Sequence, residues 1–294
     1  MVGGAPLIGR DSELAELRGM LVDESLVTVT GAGGCGKTRL ALELSERAAD
    51  GDGGRELVAA MLADVADEEE LVDVLLRAFG ARERFGRGTR QVLLDAAAAR
   101  PAPLLLLDNC EHLIGPVGRA VTELLAAAPR IRIVATSREP LGLPGALVFG
   151  LGPLGLPAAD GGLAALVGAE AGRLFVERAA RADPTFALTA ATAGAAVEIC
   201  RALDGLPLAL CLVASQLPEL TVEEIAAQLA DQGLVESRAA VDHSRHDSLR
   251  ASLEWSCRLL DRRERALLRA LSVFGDGFTA EAARAVGATD PGED

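Results

Sequence analysis

The eight residues GAGGCGKT (31–38) constrain the fold of this chain more than any other stretch. They follow LVTVT (26–30), a short run rich in β-branched residues, and they precede the segment TRLALELSERAA. In that segment Leu40, Leu44 and Ala48 recur at a spacing of four, which is typical of an amphipathic helix. The succession predicts a strand that passes through a glycine-rich loop into a helix.

The loop matches G-x-x-x-x-G-K-[ST] at every defined position, and it has the flanks that a phosphate-binding loop (P-loop) requires. Glycines let backbone N–H groups turn inward, and the start of the following helix adds positive potential, so phosphates can bind there. Lys37 can carry a charge to the β- and γ-phosphates, and Thr38 can offer a hydroxyl to Mg²⁺. The predicted nucleotide-binding residues of this segment are Gly31, Gly33, Gly34, Cys35, Gly36, Lys37, Thr38 and Arg39.

The stretch LLLLDNCEHL (104–113) places polar residues at the end of an uninterrupted apolar run. Four consecutive leucines are typical of a parallel strand that is covered on both faces. Such a strand would bring Asp108 to the edge of the sheet where the P-loop lies, and there Asp108 could hold Mg²⁺ together with Thr38. An aspartate that caps the next helix is the structural alternative, and the two roles are compatible.

Asn109 follows Asp108 directly, at a position where many P-loop ATPases carry a second acid that orients the attacking water. An amide can hold a water molecule, but it cannot accept a proton from it. Glu111 is an acid two residues further on, and its reach is not defined by the sequence. We therefore predict tight nucleotide binding with slow or negligible ATP hydrolysis.

Strand and helix patterns alternate through the first half of the chain. Further predicted strands are LVAAMLADV (57–65), LLLLD (104–108) and IRIVATS (131–137). The predicted helices between them are 67–79, 90–99 and about 117–128. This alternation predicts a parallel α/β sheet with helices on both faces. The segment EPLGLPGALVFGLGPLGLP (139–157) is interpreted as a Pro/Gly-rich connector.

Beyond the connector the patterns are helical. The predicted helices are about 170–182, 190–204, 207–217, 221–231, 248–260, 262–273 and 279–286, with a polar linker at 235–247. Gly205 can end one helix in the left-handed conformation, and Pro207 can open the next helix in its first turn. Thr221 and Glu224 have the spacing of a capping box.

With GAGGCGKT, LLLLDNCEHL, IVATSREPL and GLPLAL in this order, the chain resembles the STAND class of signal-transduction P-loop ATPases. More narrowly, it resembles the NB-ARC-like modules of bacterial SARP/AfsR-type and large LuxR-type transcriptional regulators. LIGRDSELAEL (7–17) matches the entry motif of that family, and GLP (205–207) matches its helical-domain motif. The resemblance implies a P-loop domain at 1–156, a helical domain at 157–234 and the start of a winged-helix domain at 235–294.

The resemblance also implies roles for residues outside the P-loop. The segment around Ile8 and Arg10 would lie against the adenine, Arg138 would sense the γ-phosphate, and Pro207 would belong to the motif that reaches back to the nucleotide. A solvated surface arginine is the alternative for both Arg10 and Arg138. The predicted catalytic residues are Lys37, Asp108, Asn109 and Arg138.

The expected function is a nucleotide-dependent regulatory switch of a transcriptional regulator, with ATP or ADP and Mg²⁺ as cofactors. A productive AAA+-like ATPase, such as a loader or remodeller, is the alternative from another class, and a degenerate scaffold that binds no nucleotide is a third. Because the resemblance ends partway through the winged-helix domain, we expect a fragment of a longer regulator or a truncated gene, with any missing parts downstream.

Charge and composition limit the partners and the location. The net charge is −14, with 43 acidic and 29 basic residues, so this portion should repel phosphate backbones and make no direct DNA contact. No apolar run reaches the roughly 18 residues that span a membrane, and no signal peptide is recognisable. Dispersed cysteines without paired spacing indicate reduced thiols, and zinc at Cys110–His112 is not expected. We expect a cytoplasmic protein with intramolecular or regulatory protein partners that could form nucleotide-dependent oligomers.

Overall fold

The computed structural model describes residues 6–50, 55–82, 86–232, 262–274 and 278–287. The chain divides into two compact units, Met1–Ser237 and Arg238–Asp294, and each is considered by itself. The predicted linker at 235–247 and the predicted helix at 248–260 lie outside the described residues.

The first unit contains a five-stranded sheet and the helices around and after it. The strands are β1 Leu26–Thr30, β2 Leu57–Met61, β3 Leu104–Asp108, β4 Arg132–Ser137 and β5 Leu147–Gly150. The helices up to β4 are α1 Asp11–Asp23, α2 Lys37–Asp50, α3 Glu68–Ala78, α4 Thr89–Ala98 and α5 Ile114–Ala127, with a 3₁₀ turn at Cys110–His112. The helices after β5 are α6 Gly162–Gly168, α7 Glu170–Ala182, α8 Ala190–Ala202, α9 Pro207–Ala214 and α10 Val222–Gln232.

The sheet is parallel throughout, with the strand order β2-β3-β4-β1-β5. Its two faces are covered by separate apolar cores, because the leucines of β3 alternate between them. Leu105 and Leu107 pack with α3, α4 and α5, whereas Leu104 and Leu106 pack with α1 and α2. The predicted α/β class with helices on both faces is therefore confirmed.

Two predictions about strands need correction. The Pro/Gly-rich connector contains β5, which pairs with β1 from Val27 beside Leu147 to Thr30 beside Gly150. This strand is short and only its Phe149 is buried, so it lacks the continuous apolar run that identified β3. The predicted strand at 57–65 ends at Met61, and because β2 is an edge strand it is covered less completely than expected.

The turn between α8 and α9 has the predicted form. Gly205 adopts φ of +64° and donates its N–H to the carbonyl of Cys200 at 3.0 Å, and Pro207 is the first residue of α9. Thr221 and Glu224 exchange hydrogen bonds through their backbone N–H groups and side chains, as a capping box does. These helices share a core that includes the fully buried Phe175.

The second unit is described through two helices, α11 Arg262–Leu271 and α12 Ala280–Gly287. They overlap the helices predicted at 262–273 and 279–286. The winged-helix assignment stays a prediction. Across the described ranges of both units, no helix combines the length and the apolar character that crossing a membrane requires.

Candidate functional site

The P-loop lies between the end of β1 and the start of α2, as its sequence predicts. Gly31, Gly34 and Gly36 have φ values of +151°, +79° and +96°, a region that glycine enters without the steric cost of a Cβ atom. Lys37 folds back over the loop, and its Nζ donates to the carbonyls of Gly31 at 2.9 Å and Ala32 at 3.0 Å. The loop is thus a compact turn with a lysine ammonium held against it.

Close contacts fix the P-loop between two other segments of the first unit. A Cβ atom added to Gly31 would lie 2.4 Å from the carbonyl oxygen of Leu151, which follows β5. A Cβ atom added to Gly34 would lie 2.9 Å from the Cβ of Leu208, in the first turn of α9. The backbone N–H of Leu208 also donates to the carbonyl of Gly34 at 3.1 Å. The helix opened by Pro207 therefore contacts the P-loop directly.

The structure brings Thr38 and Asp108 together at the carboxyl edge of the sheet. Asp108 is buried, and its Oδ1 accepts hydrogen bonds from Thr38 Oγ1 at 2.7 Å and from Thr136 Oγ1 at 2.6 Å. In the described part of the chain Oδ2 of Asp108 makes no hydrogen bond, so one carboxylate oxygen is uncommitted. The pair that the sequence predicted as Mg²⁺ ligands is in hydrogen-bond contact.

Thr136 is the residue of this site that sequence analysis missed. It is 1% exposed, and besides donating to Asp108 it accepts the backbone N–H of Asn109 at 3.0 Å. Asn109 adopts φ of +63° and ψ of +55°, a left-handed conformation that asparagine tolerates better than most residues. The sequence feature that could have identified Thr136 is its position near the end of the predicted buried strand at 131–137, which lies beside β3.

Arg138 lies next to Glu111 and is not a solvated surface arginine. Its Nε donates to Glu111 Oε1 at 3.0 Å, and the two side chains are 21% and 5% exposed respectively. The other carboxylate oxygen of Glu111, Oε2, is buried and has no hydrogen-bond partner among the described residues. The 3₁₀ turn after Asn109 therefore carries a buried acid that pairs with the predicted sensor arginine.

Arg10 is also buried, and its guanidinium contacts backbone carbonyls. Nη2 donates to Cys35 in the P-loop at 3.3 Å and to Gly152 after β5 at 2.6 Å. Nη1 pairs with Glu13; burial alone would raise the pKa of Glu13, but hydrogen bonds from Arg10 and Ser12 bring it below its usual value. Arg10 thus ties the segment before α1 to the P-loop.

The remaining predicted residues surround this centre. Ile8 packs against the core of the later helices, Cys35 is buried, and Arg39 pairs with Glu43 one turn along α2 at 3.2 Å. Burial, with the charges of Asp108 and Glu111, raises the pKa of the Cys110 thiol far above its usual value, so this thiol stays protonated. Within the described ranges, His, Cys, Asp and Glu side chains form no group of three or more that could hold a metal ion.

The residues present fit a nucleotide with Mg²⁺. The Thr38 hydroxyl and the Asp108 carboxylate are hard oxygen donors, the type that Mg²⁺ prefers. The P-loop joins glycine-dependent backbone turns, a helix start and an ammonium group, which together suit phosphate oxygens. The site can therefore bind an anionic phosphate chain and its metal ion.

Comparisons with known proteins agree with the fold. Residues 21–141 match a family model described as an AAA domain. The "Putative HTH-type transcriptional regulator Rv0890c" of Mycobacterium tuberculosis (strain H37Rv) is 37% identical over 277 residues, which are 92% of this chain and 29% of that protein. Among solved structures, the Walker-type ATPase paby2304 of Pyrococcus abyssi superposes with a TM-score of 0.54 at 16% identity, over 95% of this chain and 88% of that one, which shows a shared fold.

One family relationship covers almost the whole chain. The protein Rv0894 of Mycobacterium tuberculosis (strain H37Rv) is 38% identical over 288 residues, which are 96% of this chain and 69% of Rv0894. The chain therefore belongs to the family of Rv0894, and its α/β part is an AAA-type P-loop NTPase domain.

Proposed function

We propose that this chain is an ATP- or ADP-binding switch module of a transcriptional regulator, with slow or negligible ATP hydrolysis. The observation that carries the proposal is the contact between the P-loop and α9. Gly34 accepts the N–H of Leu208 at 3.1 Å and has no room for a side chain beside it. A change of the loop around a phosphate would act directly on the helices that follow the sheet.

This coupling suits a switch because packed interfaces tend to have a few discrete arrangements and do not deform continuously. Arg10 adds a second connection, since one guanidinium nitrogen contacts both the P-loop at Cys35 and the chain after β5 at Gly152. Nucleotide exchange would therefore be sensed on two sides of the loop. We propose that the P-loop domain (1–156) and the helical domain (157–234) are the two parts that the nucleotide couples.

Specific residues would hold the nucleotide. Backbone N–H groups of the P-loop and Lys37 would bind the phosphates, Thr38 and Asp108 would hold Mg²⁺, and Ile8 in the segment before α1 would lie against the adenine. Bound Mg²⁺ would supply positive charge to the phosphate oxygens. Arg10 is proposed to support the adenine segment and the loop through its carbonyl contacts, which keep its guanidinium away from solvent.

Slow ATP hydrolysis is expected because the residue after Asp108 is Asn109. Asn109 cannot accept a proton from an attacking water, and its backbone N–H is held by Thr136 in a left-handed turn. A transcriptional role is supported by the similarity to Rv0890c, which is named as an HTH-type regulator. Because the chain corresponds to 29% of Rv0890c, the regulatory activity of the full-length protein is itself part of the proposal.

One observation favours a productive AAA+-like ATPase as the alternative. Glu111 is a buried carboxylate two residues beyond Asn109, and its Oε2 has no hydrogen-bond partner within the part of the chain described. A general base would need such an oxygen. In that case ATP hydrolysis would be rapid and Glu111→Gln would abolish it. In a switch, ATP hydrolysis would already be slow before the substitution.

The test is to purify the protein, denature it and separate the released small molecules by chromatography. We expect ADP or ATP in amounts that approach one per chain, and slow exchange of added nucleotide. Turnover of several ATP per second that Asn109→Ala abolishes would contradict the switch. A protein that releases no nucleotide and binds none would contradict the nucleotide-binding function altogether.

A further inference from the structure

We propose that Glu111 determines the preference of this site between ATP and ADP, because its carboxylate competes with a γ-phosphate for the guanidinium of Arg138. This inference rests on the proposed nucleotide-binding function and extends it. In the structure Arg138 Nε donates to Glu111 Oε1 at 3.0 Å. Glu111 belongs to the 3₁₀ turn after β3, and Arg138 is the first residue after β4.

The ion pair with Arg138 stabilises the Glu111 carboxylate more than an exposed ion pair would stabilise a surface carboxylate. Glu111 is 5% exposed, and its second oxygen, Oε2, is buried without a hydrogen-bond partner among the described residues. Arg138 therefore donates the one hydrogen bond that this carboxylate accepts among the described residues. Removing Arg138 from the pair would leave a buried negative charge uncompensated, which is strongly unfavourable.

The position of Arg138 places it between the acid and the P-loop. Its neighbour Ser137 lies beside Thr30 in the sheet, and Thr30 is the residue before Gly31 of the loop. β3, which leads into the turn that carries Glu111, lies on the other side of β4. Arg138 thus follows a strand end that has the phosphate-binding loop on one side and the buried carboxylate on the other.

These contacts give the two nucleotides different consequences. ADP lacks the third phosphate and leaves Arg138 with Glu111. The γ-phosphate of ATP is a second anion that can pair with Arg138. The free energy gained by that pairing is reduced by the cost of leaving the Glu111 carboxylate buried without its partner. Because a ligand shifts an equilibrium only through its differential interactions with the two states, this cost lowers the affinity for ATP and not that for ADP.

The test measures the dissociation constants of ADP and a non-hydrolysable ATP analogue, both with excess Mg²⁺. Glu111→Gln keeps the shape of the side chain and removes its charge, so we expect the ratio of affinities to shift toward the ATP analogue by about fivefold or more. When Arg138 is already replaced by glutamine, Glu111→Gln should no longer change the ratio of affinities. The double variant should therefore have the same ratio as Arg138→Gln alone. Glu177→Gln is the matched control, since Glu177 pairs with Arg178 at 3.2 Å on α7, and it should leave the ratio unchanged.

A second measurement uses the wild-type protein and so does not depend on the folding of the variants. The NMR signal of the Arg138 Nε–H group should shift when the ATP analogue is added and stay in place with ADP. A ratio unaffected by Glu111→Gln, or a signal that responds equally to both nucleotides, would overturn the inference while nucleotide binding stands. A wild-type protein that binds neither nucleotide would overturn the proposed function and the inference with it.

Discussion

Thr136 donates its hydroxyl to Asp108 Oδ1 at 2.6 Å and accepts the backbone N–H of Asn109 at 3.0 Å. One side chain on β4 therefore fixes both the acid at the tip of β3 and the left-handed residue that follows it. Thr38 Oγ1 reaches the same oxygen of Asp108 at 2.7 Å, so the P-loop and the two central strand ends share a single hydrogen-bond network.

Replacing Thr136 by valine should weaken this network while the volume of the side chain stays nearly the same. The substitution leaves the N–H of Asn109 and one lone pair of Asp108 unsatisfied in a buried place, which costs about 1–3 kcal/mol of the free energy of unfolding. We also expect the affinity for Mg²⁺–ATP to fall more than the affinity for ATP measured with a chelator. Thr136→Ser retains the hydroxyl and should restore most of both quantities; a valine variant with unchanged Mg²⁺ dependence would argue against a positioning role.

Gly34 and Gly36 offer a matched pair for testing the contact between the P-loop and α9. Both have positive φ, so alanine is strained at either site, by an amount on the order of 1–2 kcal/mol. Only at Gly34 would the new Cβ atom meet Leu208, at 2.9 Å; at Gly36 nothing lies within 4 Å. Gly34→Ala should therefore unfold at a lower urea concentration than Gly36→Ala. Equal midpoints would show that Leu208 yields to the added Cβ atom and that the P-loop and α9 are not tightly packed there.

Asn109→Asp should test whether a missing acid limits hydrolysis. Aspartate tolerates the left-handed conformation that Asn109 adopts, so the turn should persist. A carboxylate at this position can accept a proton from water, and we expect the single-turnover rate of ATP hydrolysis to rise by at least about tenfold. Asn109→Gly, which suits the same backbone but carries no acid, is the control and should leave hydrolysis slow. No gain with aspartate would mean that another feature holds the rate down.

The sequence was most informative where one segment determines its own structure. GAGGCGKT with its flanks predicted the P-loop, and the unbroken leucines of β3 predicted a parallel strand that is covered on both faces and ends in Asp108. The turn through Gly205 and Pro207 was equally local, because positive φ and a first-turn proline need no distant partner.

Features that depend on distant contacts could not be found in the same way. β5 has only one buried residue, and its existence depends on pairing with β1. The partners Arg138 and Glu111 are 27 positions apart, and the left-handed turn at Asn109 decides where Glu111 lies. Thr136 acquires its importance only when β4 lies beside β3. Tertiary packing selects such partners, and the sequence pattern alone does not encode them visibly.

A cluster of charges on the outer helices gives a prediction about pH. Glu68 at the start of α3 pairs with Arg119 of α5 and Arg90 of α4, and hydrogen bonds from Arg119 and then Arg90 lower the pKa of Glu68 to about 2. A carboxyl group whose pKa is lower in the folded state stabilises the fold fully above its ordinary pKa of 4.5, and this stabilisation is lost as the pH falls toward 2. Glu68→Gln should therefore lower the urea midpoint at pH 7 and have a smaller effect near pH 3. Glu69→Gln, one residue along the same exposed turn, is the control. If the difference in urea midpoint between wild type and Glu68→Gln does not shrink at low pH, the lowered pKa of Glu68 is contradicted.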